Sequence, residues 1–141
     1  HFSTEFDRLG TSSDYPYVAI TYRLTEHFHY WTKHIDANSQ LQPRFFVELP
    51  QGLAEEKSIR SGDMVRVTSA RGAVEGQALV TRRMGGLKVE GKTVYQVGLP
   101  IHWGFVGGVT GPLVNNLSPS VVDPNSGTPE YKGFLVNVTK M

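Results

Sequence analysis

From Met64 to Arg82 apolar and polar side chains alternate with a period of two. Met64-Val65-Arg66-Val67-Thr68-Ser69 runs into a turn at Ala70-Arg71-Gly72, and Ala73 to Arg82 returns with the same alternation. Successive side chains of a strand point to opposite faces, so this pattern predicts a hairpin with one buried face. Tyr17 to Tyr22 is rich in β-branched and aromatic residues and reads as a strand, as does Phe45 to Leu49. Leu87 to Val97 forms a second hairpin pattern around Glu90-Gly91-Lys92. Val97 to Ile101 is apolar, with Pro100 favouring an edge or a strand end, and Phe134 to Val138 reads as a last strand.

The period changes between these strands. Leu24, Phe28, Trp31 and Ile35 fall at helical spacing, which predicts a helix over Thr25–Ile35 with Thr25 as N-cap, Glu26 in the first turn and Asp36-Ala37-Asn38 closing it. Leu53 to Ser58 reads as a short surface helix. Residues 1–16 are polar and read as an arm or linker, with one domain over 17–141. Residues 104–133 are rich in Gly, Pro, Asn and Ser, and a loop of that length inside a compact domain is often functional. No internal repeat stands out. The pattern predicts a mainly β fold with one or two short helices: a β-barrel of six or seven short strands with helical decoration.

Composition narrows the function classes. The 141 residues suffice for one domain with a core of its own. No apolar run approaches the roughly 20 residues of a membrane-spanning helix, so direct membrane insertion is not expected. A net charge of +1 gives no electrostatic case for nucleic acid or anionic lipid as main partner. Without cysteine the chain has no disulfide, no thiolate metal site, no iron–sulfur cluster and no cysteine nucleophile. A start at His1 fits a piece of something longer or a separate piece of a split subunit.

Candidate chemistry is sparse. His27, His29 and His34 lie close in sequence, but a helix aligns only His27 with His34, and a strand only His27 with His29. With no His-Glu-x-x-His pattern, two histidines flanking an apolar stripe is the plainer reading than a metal site. On the predicted helix, His27, Tyr30 and His34 share a face beside the core stripe, with Arg23 just before it. Such a row of donors suits an anionic or heterocyclic ligand, and equally a solvated face. His102-Trp103 ends an apolar strand and opens into Gly104, a common place for binding groups; the plain alternative is a buried Trp with a capping His. Residues 115–132 carry amides, hydroxyls and Lys132, able to line a polar ligand, although turn chemistry explains the Asn, Asp, Pro and Gly as well. No Gly-x-Ser-x-Gly elbow, Walker loop or Gly-x-Gly-x-x-Gly motif is present.

Several segments together carry a family resemblance. They are Thr21-Tyr22-Arg23-Leu24-Thr25-Glu26-His27-Phe28-His29, Trp31-Thr32-Lys33-His34, the hairpin from Gly62 to Arg82, Pro100-Ile101-His102-Trp103-Gly104-Phe105, Asn116-Leu117-Ser118-Pro119, and Thr128-Pro129-Glu130-Tyr131-Lys132. Over about residues 15–141 the chain resembles the C-terminal domain of the catalytic subunit of formate dehydrogenases, among the molybdenum or tungsten bis-pterin oxidoreductases of the dimethyl-sulfoxide-reductase type. The hairpin is shared widely in that superfamily; the first and last segments are much more specific.

The resemblance implies a double-psi β-barrel that caps bis-molybdopterin guanine dinucleotide. It implies that Thr21, Arg23 and His27 lie along one pterin or its diphosphate, that His102 and Trp103 sit near the cofactor, and that Asn116, Tyr131 and Lys132 complete the other side. It implies the remaining domains of the catalytic subunit and an iron–sulfur electron-transfer subunit as partners, and a periplasmic setting. The metal ligand and catalytic residues belong to upstream domains in that family, so this chain alone is not expected to oxidise formate. Two other classes stay open at this point: a stand-alone small β-barrel ligand-binding module, and a small self-sufficient enzyme, for which no catalytic set is readable.

Overall fold

The computed structural model describes residues 10–129 and 131–141. Its strands are β1 (Tyr17–Tyr22), β2 (Phe46–Pro50), β3 (Met64–Thr68), β4 (Ala73–Thr81), β5 (Gly86–Val89), β6 (Lys92–Pro100) and β7 (Phe134–Lys140). The helices are α1 (Asp36–Leu41) and α2 (Gln51–Glu56), with 3-10 turns at Thr32–His34 and Val114–Asn116. Six strands close a barrel in the order β1-β7-β3-β4-β2-β6, sealed by a β6–β1 pairing, and β5 hangs on β6 as an added hairpin arm.

The ladder repeats itself. β1 runs parallel to β6, and β4 runs parallel to β2. β1 pairs antiparallel with β7, and β4 with β3. Exchanging β1 with β4, β2 with β6 and β3 with β7 leaves every barrel pairing unchanged, the β2–β6 and β3–β7 ladders mapping onto themselves. Two interlocked halves related in this way make a double-psi barrel. The repeat missed in the sequence is short: Val47-Glu48-Leu49-Pro50 and Val97-Gly98-Leu99-Pro100 occupy matching strands, and Glu48 pairs with Gly98 where the halves meet.

The alternating pattern of the hairpin is realised as read: Val65, Val67, Val74 and Ala78 are buried while Met64, Arg66, Glu75 and Gln77 are exposed. With Ala19, Val47, Leu49, Val97, Leu99, Val136 and Val138 they fill the barrel. Each fully buried Val or Leu contributes about 1.5–3 kcal/mol.

The helix expected over Thr25–Ile35 does not form. Residues 23–31 are turns and irregular backbone, and Asp36-Ala37-Asn38 open α1 rather than close a helix. The cause is tertiary and local competition for backbone donors. Leu24 gives its N–H to the His102 ring, and Phe28 gives its own to the Thr32 hydroxyl. His29 sits at φ 47, left-handed backbone that no α-helix contains. The supposed core stripe therefore faces out, with Phe28, Trp31 and Ile35 exposed and Leu24 alone packed on the core.

Of the proposed arm, residues 10–16 are described. Thr11 caps a turn through its bond to Asp14, and the Asp14 carbonyl accepts from Asn137 of β7.

Candidate functional site

The strand directions bring the expected residues to one end of the barrel. Parallel β1 and β6 finish together at Tyr22 and Pro100, so Arg23 and His102 leave the same rim. β7 is antiparallel to β1, which places Tyr131 and Lys132 beside the end of β1. β3 pairs with β7 and β4, which sets the Ser69–Gly72 tip on that rim too. Thr21, Arg23, His27, His102, Trp103, Asn116, Tyr131 and Lys132 thus all sit on segments entering or leaving this end.

His102 and His27 form its interior. The His102 ring is fully buried, accepts the Leu24 N–H at Nε2 (2.8 Å) and donates from Nδ1 to the His29 carbonyl (2.6 Å). Those partners fix the tautomer. Burial holds its pKa below the ordinary histidine value, a tendency that the His29 carbonyl opposes and the charges of His27 and Arg23 reinforce. His27, also buried, lies between the Thr32 hydroxyl (3.0 Å) and the Gln42 carbonyl (2.9 Å), and its ring stacks at 5.3 Å on that of His102. The His102 ring spends both nitrogens on the loop that carries Arg23, and the His27 ring, itself on that loop, ties it to Thr32 and to Gln42 beyond α1. They support a role in shaping the site more than in touching a ligand.

The helical face expected to join His27, Tyr30 and His34 is therefore replaced: His27 is buried, Tyr30 half-buried and His34 exposed. Trp103 is 1% exposed, packed edge-on by His27 and Phe45, and its indole N–H has no acceptor among the described residues. The Tyr30 hydroxyl is likewise buried without a partner. Buried donors left unmatched cost about 1–3 kcal/mol each, so such positions ask for an acceptor from outside.

The second group lies across the rim. Thr21 is buried and donates to the Tyr131 carbonyl (3.0 Å), tying the last strand's approach to β1. The Ser69 hydroxyl holds the Leu117 carbonyl (2.8 Å), and the Asn116 carbonyl packs against Gly72, so hairpin tip and irregular loop are fastened together. Between them opens a cleft of about 370 Å³ lined by Arg71, Asn115, Ser118, Ser120, Pro129 and Tyr131. Asn116 and Lys132 are exposed beside it, and Glu130 of the same motif lies outside the described residues. Arg71 was not among the expected ligands. Its place at a hairpin tip, just after Ser69, was the readable sign that it projects from a fastened turn. A second cleft, of about 410 Å³ around Gln51, Arg60, Thr81 and Arg82, opens where β2 and β4 end, away from all of these residues.

Residues 17–135 match the family described as the Molydopterin dinucleotide binding domain. The chain belongs to that family. It is 49% identical over 141 residues to the formate dehydrogenase-O major subunit of Escherichia coli K12, covering 99% of this chain and 14% of that protein. It is 53% identical over 134 residues to the nitrate-inducible formate dehydrogenase major subunit of the same organism, covering 94% of this chain and 13% of the relative. The chain thus spans about one seventh of the curated relatives it matches. Among solved structures, acetylene hydratase from Pelobacter acetylenicus superposes with a TM-score of 0.73 at 16% identity, over 92% of this chain and 19% of that one. That likeness bears on the fold alone, and it agrees with the double-psi pairing of this dinucleotide-binding domain.

Proposed function

We propose that this domain closes one side of a bis-molybdopterin guanine dinucleotide site in a formate dehydrogenase major subunit. The observation that carries the reading is the donor-rich barrel end, in a domain of the dinucleotide-binding family. Buried N–H and O–H groups without acceptors among the described residues, at Trp103 and Tyr30, fit a ligand that supplies acceptors. Arg23, Lys132 and Asn116 offer the charged and amide donors suited to pterin edges and phosphates. When bound, the dinucleotide with its molybdenum or tungsten supplies the redox chemistry, formate yielding carbon dioxide, one proton and two electrons.

This chain's residues bind and orient. Arg23 and Lys132 hold anionic parts of the dinucleotide, Thr21 sets the Tyr131 backbone, His102 and His27 hold the Arg23 loop, and Trp103 walls the site. The remaining domains of the parent subunit hold the metal, and an iron–sulfur partner takes the electrons. The periplasm is the compartment this reading favours.

The test is made in the full-length parent subunit. Arg23→Ala and Lys132→Ala each remove a charge-assisted hydrogen bond of about 1.5–3 kcal/mol. Both should lower the guanine nucleotide released on acid hydrolysis per mole of protein, with little change in melting temperature. Full cofactor content in both variants would sink the residue assignments. A wild-type parent that carries no pterin would sink the reading itself.

A further inference from the structure

The exchange of strands that leaves the barrel unchanged also carries one rim onto the other. Tyr22 pairs with Pro100 where parallel β1 and β6 end, and Thr81 pairs with Pro50 where parallel β4 and β2 end. Each pair maps onto the other, so Arg82, the residue after β4, stands where Arg23 stands after β1. The two rims differ in cover. Residues 23–45 lie between β1 and the next strand and include the buried His27, whereas only residues 82–85 separate β4 from β5. The cleft of about 410 Å³ opens at that second, barer rim, and its size suits a small organic ligand.

The cleft sets donors over an apolar floor. Ala54 and Ile59 are buried there and Val80 is half-buried. The turn that carries Arg60 and Ser61 is fastened to β4. The Gly62 N–H donates to the Ala78 carbonyl (2.8 Å), the Ala78 N–H to the Asp63 carbonyl (2.8 Å), and the Val80 N–H to the Ser61 hydroxyl (2.9 Å). Ser61 thus accepts from the backbone and keeps its own hydrogen to donate. Arg60 and Arg82 form no ion pair among the described residues. The carboxylates nearby are engaged elsewhere: Glu55 accepts from Gln51 Nε2 (2.8 Å), and Asp63 pairs with Lys140 (2.7 Å) and accepts the Arg60 backbone N–H (2.7 Å). Two guanidinium forks and a hydroxyl offer more donors than one carboxylate can take, and they match the several charged oxygens of a phosphoryl group. We propose that Arg60, Ser61 and Arg82 hold the phosphoryl group of a phosphate monoester whose apolar body rests on Ala54, Ile59 and Val80. The site lies at the barrel end opposite the candidate dinucleotide site and does not depend on that reading.

The test titrates the full-length parent subunit, as purified in its complex, with phenyl phosphate, inorganic phosphate and benzoate by calorimetry. Phenyl phosphate should bind saturably, and at least fivefold more tightly than either of the others. Arg60→Ala and Arg82→Ala should each weaken it at least fivefold and leave the melting temperature unchanged, since neither guanidinium has an ion-pair partner to lose. Arg66→Ala removes the same charge elsewhere on the barrel and should bind like the wild type. No saturable binding of phenyl phosphate, or wild-type affinity in both cleft variants, would overturn the site. An equal loss in Arg66→Ala would overturn it in favour of general charge attraction. Benzoate binding as tightly as phenyl phosphate would overturn the phosphoryl assignment. Inorganic phosphate binding as tightly would overturn the role of the apolar floor, in favour of free phosphate.

Discussion

His102 accepts the backbone N–H of Leu24 across the barrel rim at 2.8 Å, while its other ring nitrogen donates to the His29 carbonyl. One imidazole thereby closes the loop that replaces the expected helix. His102→Phe fills similar space but leaves both backbone groups unmatched, and should cost about 2–4 kcal/mol of unfolding free energy. The pH dependence has a definite sign. Burial lowers the folded-state pKa of His102, so below the ordinary histidine value of about 6.5 the unfolded chain takes up a proton the folded chain refuses. Stability should fall as pH drops from 7 towards 5, with a slope from this residue of at most about 1.4 kcal/mol per pH unit. Denaturant titrations across that range should show a shallower slope in His102→Phe; an identical slope would contradict a buried neutral ring.

Glu48 is a buried carboxylate outside the candidate site. Burial alone would raise its pKa, but hydrogen bonds from Arg83, Tyr22 and Thr81 together bring it below the ordinary carboxylate value. Arg83 grips both oxygens, at 2.8 and 2.5 Å, and the Tyr22 hydroxyl donates at 2.6 Å. The stabilisation is present above the unfolded-state pKa of about 4.3 and is lost as pH falls through the lower folded value. Glu48→Gln should lose about 1–3 kcal/mol at neutral pH and show a flatter acid limb, read from melting temperatures between pH 6 and 3.

Gly98 is the slot through which Tyr22 reaches Glu48. An added Cβ would lie 2.8 Å from Met84 Sδ, 2.9 Å from the Tyr22 ring and 3.2 Å from Glu48 Cβ. Gly98→Ala should therefore destabilise by about 1–3 kcal/mol, by crowding alone. A double-mutant cycle with Tyr22→Ala should recover part of that loss.

Trp31 decides between the periodicity and the fold. A core tryptophan replaced by a small residue loses about 3–5 kcal/mol, but Trp31 is 76% exposed. Trp31→Ser should change stability by less than about 0.5 kcal/mol, whereas Leu49→Ala should cost about 2–5 kcal/mol. Chemical denaturation of the two variants side by side distinguishes the two pictures.

That contrast shows what was legible in the chain. Strand periodicity carries its own evidence, since Val65 and Val67 need only a buried face to be read, and most strands fall within a residue or two of their expected bounds; the exception is β6, where the second arm of the Leu87–Val97 hairpin and the Val97–Ile101 segment are one continuous strand, Lys92–Pro100. The stretch from Arg23 to Ile35 is ruled by partners far away in sequence: His102 takes the Leu24 N–H and Gln42 takes the His27 ring. A local pattern has no means of registering either. The family motifs named a set of residues, and the fold gathers them at one end of the barrel. The geometry there was not legible, because the roles of His27 and His102 follow from their burial, and at the other end Arg60 and Arg82 share a cleft only once the Arg60 turn is fastened to β4.

The interlocked pairing of the barrel also sets the order in which it can be made. β1 finds both its neighbours in β6 and β7, and β7 in turn separates β1 from β3. One edge of β1 therefore stays open until β7 arrives to shut the cylinder, even where β1 has already paired with β6. Such non-local closure belongs to the slow class of folding topologies, reached in milliseconds to seconds. Until then the open edges of β1 and β3 are templates for other chains, so a copy cut short before Phe134 would be prone to edge-to-edge aggregation.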